Sequence, residues 1–147
     1  MRWRLVGTAA ALLVFSFAGL ALAGDGGKPK RPQLDLRATP RLAFSPVEIL
    51  LTGQLKGGAD LEEFYCPGLE WDWGDGTHSS QESDCEPFET GTTLERFFSA
   101  RHAYRSPGAY NVRLTLRRAT RTVAVASVAV TVHGQTAGGQ TAGMADY

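Results

Sequence analysis

Carboxylates dominate one part of this chain. Residues 60–95 contain eleven Asp or Glu and no Lys or Arg, whereas residues 96–121 contain seven Arg and no acid. A loop dense in carboxylates can hold calcium, which takes six to eight oxygen ligands. Asp72, Asp75, Glu82 and Asp84, with Glu86 and Glu89 beyond them, form the candidate set. Their spacing matches no calcium-binding loop such as the EF-hand, and a solvated acidic loop explains them more simply. Calcium is the one cofactor candidate. Asp72 and Asp75 also invite a reading as paired acid and base. Aspartates beside glycines, however, satisfy turn backbone groups without any catalytic role. Catalysis needs a nucleophile, a base and an orienting group in mutual reach. The imidazoles are His78, His102 and His133, and neither Gly-x-Ser-x-Gly nor His-Glu-x-x-His occurs. No catalytic residue is assigned, and the chain reads as a non-enzyme.

On the basic side, Arg113, Arg117, Arg118 and Arg121 are placed to form a stripe across the last two strands. A guanidinium fork pairs with carboxylates and stacks on aromatic rings, so this stripe is the candidate contact surface. The acidic loop over residues 78–95 is a second one. Cys66 and Cys85 are the only cysteines. Without a Cys-x-x-Cys pair, redox catalysis and a zinc–thiolate site lack support. Arg2 and Arg4, an apolar run over residues 5–22, and Ala21-Leu22-Ala23 spell a secretory signal cleaved after Ala23. An uncleaved membrane anchor is the alternative, and would be the chain's only membrane contact. Secretion, to the periplasm, the cell surface or the medium, implies an oxidising compartment in which two thiols pair. A bridge closing a loop of about 20 residues would stabilise the fold by about 3 kcal/mol in the chain-entropy model. Two buried free thiols are the alternative. The signal removes two arginines and no acid, so the remainder stays close to neutral. That argues against a nucleic-acid partner.

The elements that must position these residues read as strands. Residues 1–23 are the signal and 24–41 a flexible leader, with Leu34-Asp35-Leu36 a short candidate edge strand. Residues 42–133 form the domain. Val47, Ile49 and Leu51 share one face, as do Leu69, Trp71 and Trp73. Gly74-Asp75-Gly76 turns the chain, because glycine tolerates the positive φ that tight hairpins demand. Residues 81–93 read as polar loop. A strand over residues 96–104 buries Phe98, and Ser106-Pro107-Gly108-Ala109 suits a type II turn. Tyr110, Val112, Leu114 and Leu116 then alternate with Asn111, Arg113, Thr115 and Arg117. In the last strand the apolar parity switches near Ala126-Ser127. That predicts a β-bulge there, or else a strand buried on both faces. Trp71 and Tyr110 are the largest expected core members. Residues 134–147 duplicate Gly-Gln-Thr-Ala-Gly, which cannot bury a core, and read as a disordered tail.

Trp71-Asp72-Trp73-Gly74-Asp75-Gly76, followed by His102-x-Tyr104-x-x-Pro107-Gly108-x-Tyr110, resembles the PKD (polycystic kidney disease) domain over residues 42–132. The resemblance implies an all-β, immunoglobulin-like two-sheet sandwich of PKD type, here with one disulfide in an extended loop. It implies a core role for Trp71, a turn held by Asp72, Asp75 and Gly76, and a later strand pair carrying His102, Tyr104, Gly108 and Tyr110. It further implies a binding module for protein–protein or protein–carbohydrate contacts at the cell surface. A structural spacer or assembly subunit of a surface complex, and a calcium-dependent polysaccharide-binding accessory, are the alternatives. The loop over residues 77–96 is longer than the family's and carries Cys85. A bridge to Cys66 would tie that insertion to the strand before Trp71.

Overall fold

A computed structural model describes residues 28–135. The expected signal, the first residues of the leader and residues 136–147 of the tail lie outside the described residues. The chain runs through β1 (Gln33–Thr39), β2 (Leu42–Phe44), β3 (Val47–Lys56), a single 3-10 turn at Glu62–Phe64, and β4 (Gly68–Asp72). It continues through β5 (His78–Gln81), β6 (Phe97–Tyr104), β7 (Gly108–Arg118) and β8 (Arg121–His133). Two sheets result, one in the order β1-β3-β6 and the other β2-β8-β7-β4-β5. All neighbours pair antiparallel except β2, which runs parallel to β8.

Period-two alternation decides which side chains meet between the sheets. From the three-stranded sheet come Leu36, Ile49, Leu51, Leu55, Phe98 and Tyr104. From the five-stranded sheet come Leu69, Trp71, Val112, Leu114, Leu116, Val128, Val130 and Val132, with Trp73 just past the end of β4. Tyr104, not Tyr110, is the fully buried tyrosine; Tyr110 is half-buried against the core.

Four sequence expectations change. The sandwich begins before residue 42, because all of Gln33–Thr39 pairs with β3 and buries Leu36 and Ala38. The leader is therefore shorter than expected. His78–Gln81, expected to lie within the acidic loop, forms an edge strand on β4. It has no apolar residue to announce it, and all four positions are exposed. The bulge lies at Val123, not at Ala126-Ser127. Leu116 pairs with Ala124 and Arg117 with Thr122, leaving Val123 as the extra residue. Ala124, Ala126 and Val128 therefore continue the inward face, while Val125 points out and is 50 % exposed. Finally, the turn before β7 is not type II. A type II turn needs a positive φ at its third residue, and Gly108 lies outside the set of positive-φ glycines. It already pairs with Val132 as the first residue of β7.

Candidate functional site

The two halves of the Trp-Asp-Trp-Gly-Asp-Gly and His-x-Tyr pattern meet in space. The turn after β4 belongs to the five-stranded sheet, and β6 belongs to the three-stranded one. Gly74 sits at φ +74°, and a Cβ there would lie 2.8 Å from the Asn111 amide nitrogen, so only glycine fits. Asp72 Oδ1 accepts from the Gly74 N–H at 3.0 Å. Asp75 Oδ1 accepts from the Thr77 N–H and from Thr77 Oγ1 at 2.9 and 2.6 Å. Asp75 Oδ2 lies 2.7 Å from His102 Nε2. Burial pushes the Asp75 carboxyl up, but the Thr77 and His102 hydrogen bonds and the His102 charge outweigh it, holding the pKa at about 2. Asp75 is therefore a carboxylate, an acceptor only, so Nε2 carries the proton and donates.

Aromatic rings continue this crossing. Trp71 and Trp73 stack at 5.3 Å, and Trp73 stacks on the His102 ring at 4.5 Å. Tyr104 packs edge-on against His102 and stacks on Tyr110 at 4.2 Å. The Tyr104 hydroxyl donates to the Trp73 carbonyl at 2.8 Å. Burial, then the charge of Asp75, raises its pKa to about 12. The Tyr110 hydroxyl donates to Ser106 O at 2.7 Å. Although carboxylate and imidazole touch, their partners are turn and core groups. The arrangement clamps one sheet to the other.

The bridge Cys66–Cys85 is formed. The Tyr65 hydroxyl donates to Glu86 O at 3.0 Å, and the Tyr65 and Phe88 rings meet edge-on. The acidic segment after β5 is thus pinned beside the 3-10 turn. The calcium candidates do not converge. Asp72 and Asp75 serve the turn, and Glu82 and Asp84 lie past β5. Among the described residues no three His, Cys, Asp or Glu side chains gather as metal ligands would.

Of the arginine stripe, three members are tied to carboxylates. Arg117 pairs with Glu70 at 3.1 Å and Arg121 with Glu63 at 3.2 Å. Arg118 reaches Glu62 at 3.6 Å and also donates to the Tyr65 carbonyl. Of these four, Arg113 alone forms no ion pair among the described residues. It sits opposite Asp72 on β4 and Ser127 on β8, on the outward face of the five-stranded sheet. A cleft of about 400 Å³ opens there, walled by Glu70, Asp72, His78, Ser80, Arg113 and Thr115. His78 Nδ1 lies 3.7 Å from Asp72 Oδ1. The sequence reading missed Glu70, Thr115 and Ser80 as walls of the cleft that holds Arg113. Outward parity on β4 and β7 carries the signal for the first two; β5 offered none for Ser80.

Among solved structures, the PKD domain of an M14-like peptidase from a Thermoplasmatales archaeon matches with a TM-score of 0.50 at 15% identity, over 72% of this chain and 99% of that one. The fold is PKD-like. A CARDB domain from Pyrococcus furiosus, solved in complex with di-metal ions, matches with a TM-score of 0.44 at 11% identity, over 73% of this chain and 96% of that one. No family model and no curated protein matches the sequence. The Trp-Asp-Trp-Gly-Asp-Gly turn is scaffold by its own contacts, since its carboxylates bond to turn backbone and to His102.

Proposed function

We propose that this PKD-like domain is a secreted, non-catalytic binding module that contacts a protein or glycan through the cleft at Arg113. The observation that carries this reading is Arg113 itself. It is an exposed guanidinium on a rigid central strand, without a carboxylate partner among the described residues, in a cleft of hydroxyl, imidazole and carboxylate groups. Such a wall presents both donors and acceptors, which suits the hydroxyls of a sugar or the polar groups of a protein surface. The Cys66–Cys85 bridge supports an oxidising compartment outside the cytosol, and the signal pattern of residues 1–23 supports export. No nucleic acid, metal or cofactor enters this reading.

The test is a glycan array and a panel of surface proteins probed with the mature chain and with Arg113→Glu. Loss of at least tenfold in affinity on Arg113→Glu, with little change on Arg121→Ala, is expected. Equal binding by wild type and Arg113→Glu would move the contact elsewhere. A spacer or assembly role has one observation in its favour: Leu42 and Phe44, 61 % and 58 % exposed, lie side by side on the short edge strand β2. Light scattering at high concentration tests it, and a strict monomer removes it.

A further inference from the structure

We propose that the free edge of β5 accepts an extended peptide strand that carries basic and apolar residues, added antiparallel or parallel to the five-stranded sheet. This goes with the reading as a binding module, but the site is the sheet's edge and not the face at Arg113.

The backbone comes first. The Trp73 N–H donates to Thr77 O at 3.1 Å, continuing the register of Trp71 with Ser79 and Leu69 with Gln81. In an antiparallel ladder, hydrogen-bonded pairs alternate with pairs whose N–H and C=O groups point away. Residues 73, 71 and 69 of the β4 side thus bond to 77, 79 and 81. His78 and Ser80 consequently turn their N–H and C=O groups to the free edge. All four β5 residues are exposed. The strand has no proline, lysine or bulge to block pairing, and its four residues offer two outward positions.

Side-chain positions around this edge specify the guest. Ser79 and Gln81 share the inward parity with Trp71 and Leu69. On that side a groove of about 210 Å³ opens between β5 and β6, lined by Leu69, Gln81, Glu95, Phe97 and Phe98 among others. Phe97 is 60 % exposed there. A strand laid about 4.8 Å from β5 would turn every second side chain over this groove, where the exposed Phe97 ring offers apolar contact beside polar Gln81, Ser83 and Glu95. Charge around the edge adds a second preference. Asp60, Glu62, Glu63 and Glu70 are paired with arginines. Glu82, Asp84, Glu86, Glu89 and Glu95, which follow β5, form no ion pair among the described residues. Lysine or arginine on the guest complements that uncompensated charge. A peptide backbone meets the outward N–H and C=O groups of His78 and Ser80 in strand register, a spacing that glycan hydroxyls do not repeat.

Fluorescence anisotropy of the full chain with a labelled eight-residue peptide alternating Lys and Val tests this. Saturable binding that weakens with added salt is expected, and a peptide alternating Glu and Val should not bind. Ser80→Pro removes an outward N–H without breaking a bond to β4, together with one hydroxyl of the Arg113 cleft. It should lower affinity at least tenfold with thermal stability retained. Methylating alternate amides of the probe leaves the protein untouched and should have the same effect. Glu82→Lys with Glu86→Lys should weaken binding several-fold, and Phe44→Ser on the far edge should not. Absence of saturable binding at low salt overturns the proposal. So does unchanged affinity with both Ser80→Pro and the methylated probe, which would mark a bare charge contact. A chain that binds glycan or protein through Arg113 but ignores this probe sinks the edge site alone. One that binds neither sinks the module reading with it.

Discussion

Asp75 connects a turn to a distant strand, and its titration makes that connection measurable. Its folded pKa of about 2 lies below its ordinary value of 3.8. A lowered carboxylate pKa stabilises the fold above the unfolded pKa, and the contribution fades as pH falls toward the folded one. The window is therefore about pH 4 down to pH 2, and the contribution is on the order of 1–2 kcal/mol. Chemical denaturation from pH 7 to pH 2 should show wild type losing more stability across that window than Asp75→Asn. Parallel acid limbs would show that the Thr77 and His102 contacts are not felt by the unfolding equilibrium. The sequence revealed that Asp75 holds a glycine turn, because that role is local. Its bond to His102 spans 27 residues and depends on how two sheets face each other, which no local spacing encodes.

Elements carry the next set of consequences. The β7–β8 hairpin closes through Ala119 and Thr120, with Arg118 opposite Arg121. Ala119 sits at φ +50°, in the left-handed region that a Cβ disfavours by about 1–2 kcal/mol. Ala119→Gly should raise the stability of the domain by up to about 1 kcal/mol, since glycine's extra unfolded-state entropy offsets part of the relief. A lower urea midpoint for this variant would contradict the strain. The bridge between Cys66 and Cys85 encloses β4, the Gly-Asp-Gly turn and β5. Cys66→Ser with Cys85→Ser should lower stability by about 3 kcal/mol for a loop of this length, read from urea denaturation with the far-ultraviolet dichroism retained. An unchanged midpoint would mean that Tyr65 and Arg118 suffice to hold the loop. Both strands of this hairpin were legible, because their alternation is long. The bulge was misplaced because Val123 and Val125 look like core residues in the sequence. Val125 faces solvent, and only the pairing partner shows which residue is extra.

Across the whole molecule, stability is concentrated where both sheets cover a strand. Ile49, Leu51, Val112, Leu114 and Val130 are fully buried, whereas β5 is exposed throughout and β2 is short. Hydrogen exchange should therefore be slowest in the amides of β3, β7 and the end of β8, and fastest in the outward amides of β5. Slow exchange at His78 and Ser80 in the free protein would mean that the edge is already covered, and would count against a guest strand there.

The sequence by itself determined the all-β class, the inward faces of β3, β4 and β7, and the turn at Gly74 to Gly76, whereas the pairing of the two cysteines was an expectation that the structure decided. Each of the former follows from period-two burial or from backbone sterics. The family pattern named the fold because its residues are the ones that clamp the sheets. Tertiary structure decided which arginine of the stripe is left without a carboxylate, that Asp75 meets His102, and that His-Ser-Ser-Gln is an edge strand beside a groove. Those depend on distances between strands far apart in the chain. Charge compensation and edge exposure are properties of neighbours in space, and four polar residues in a row say nothing of theirs.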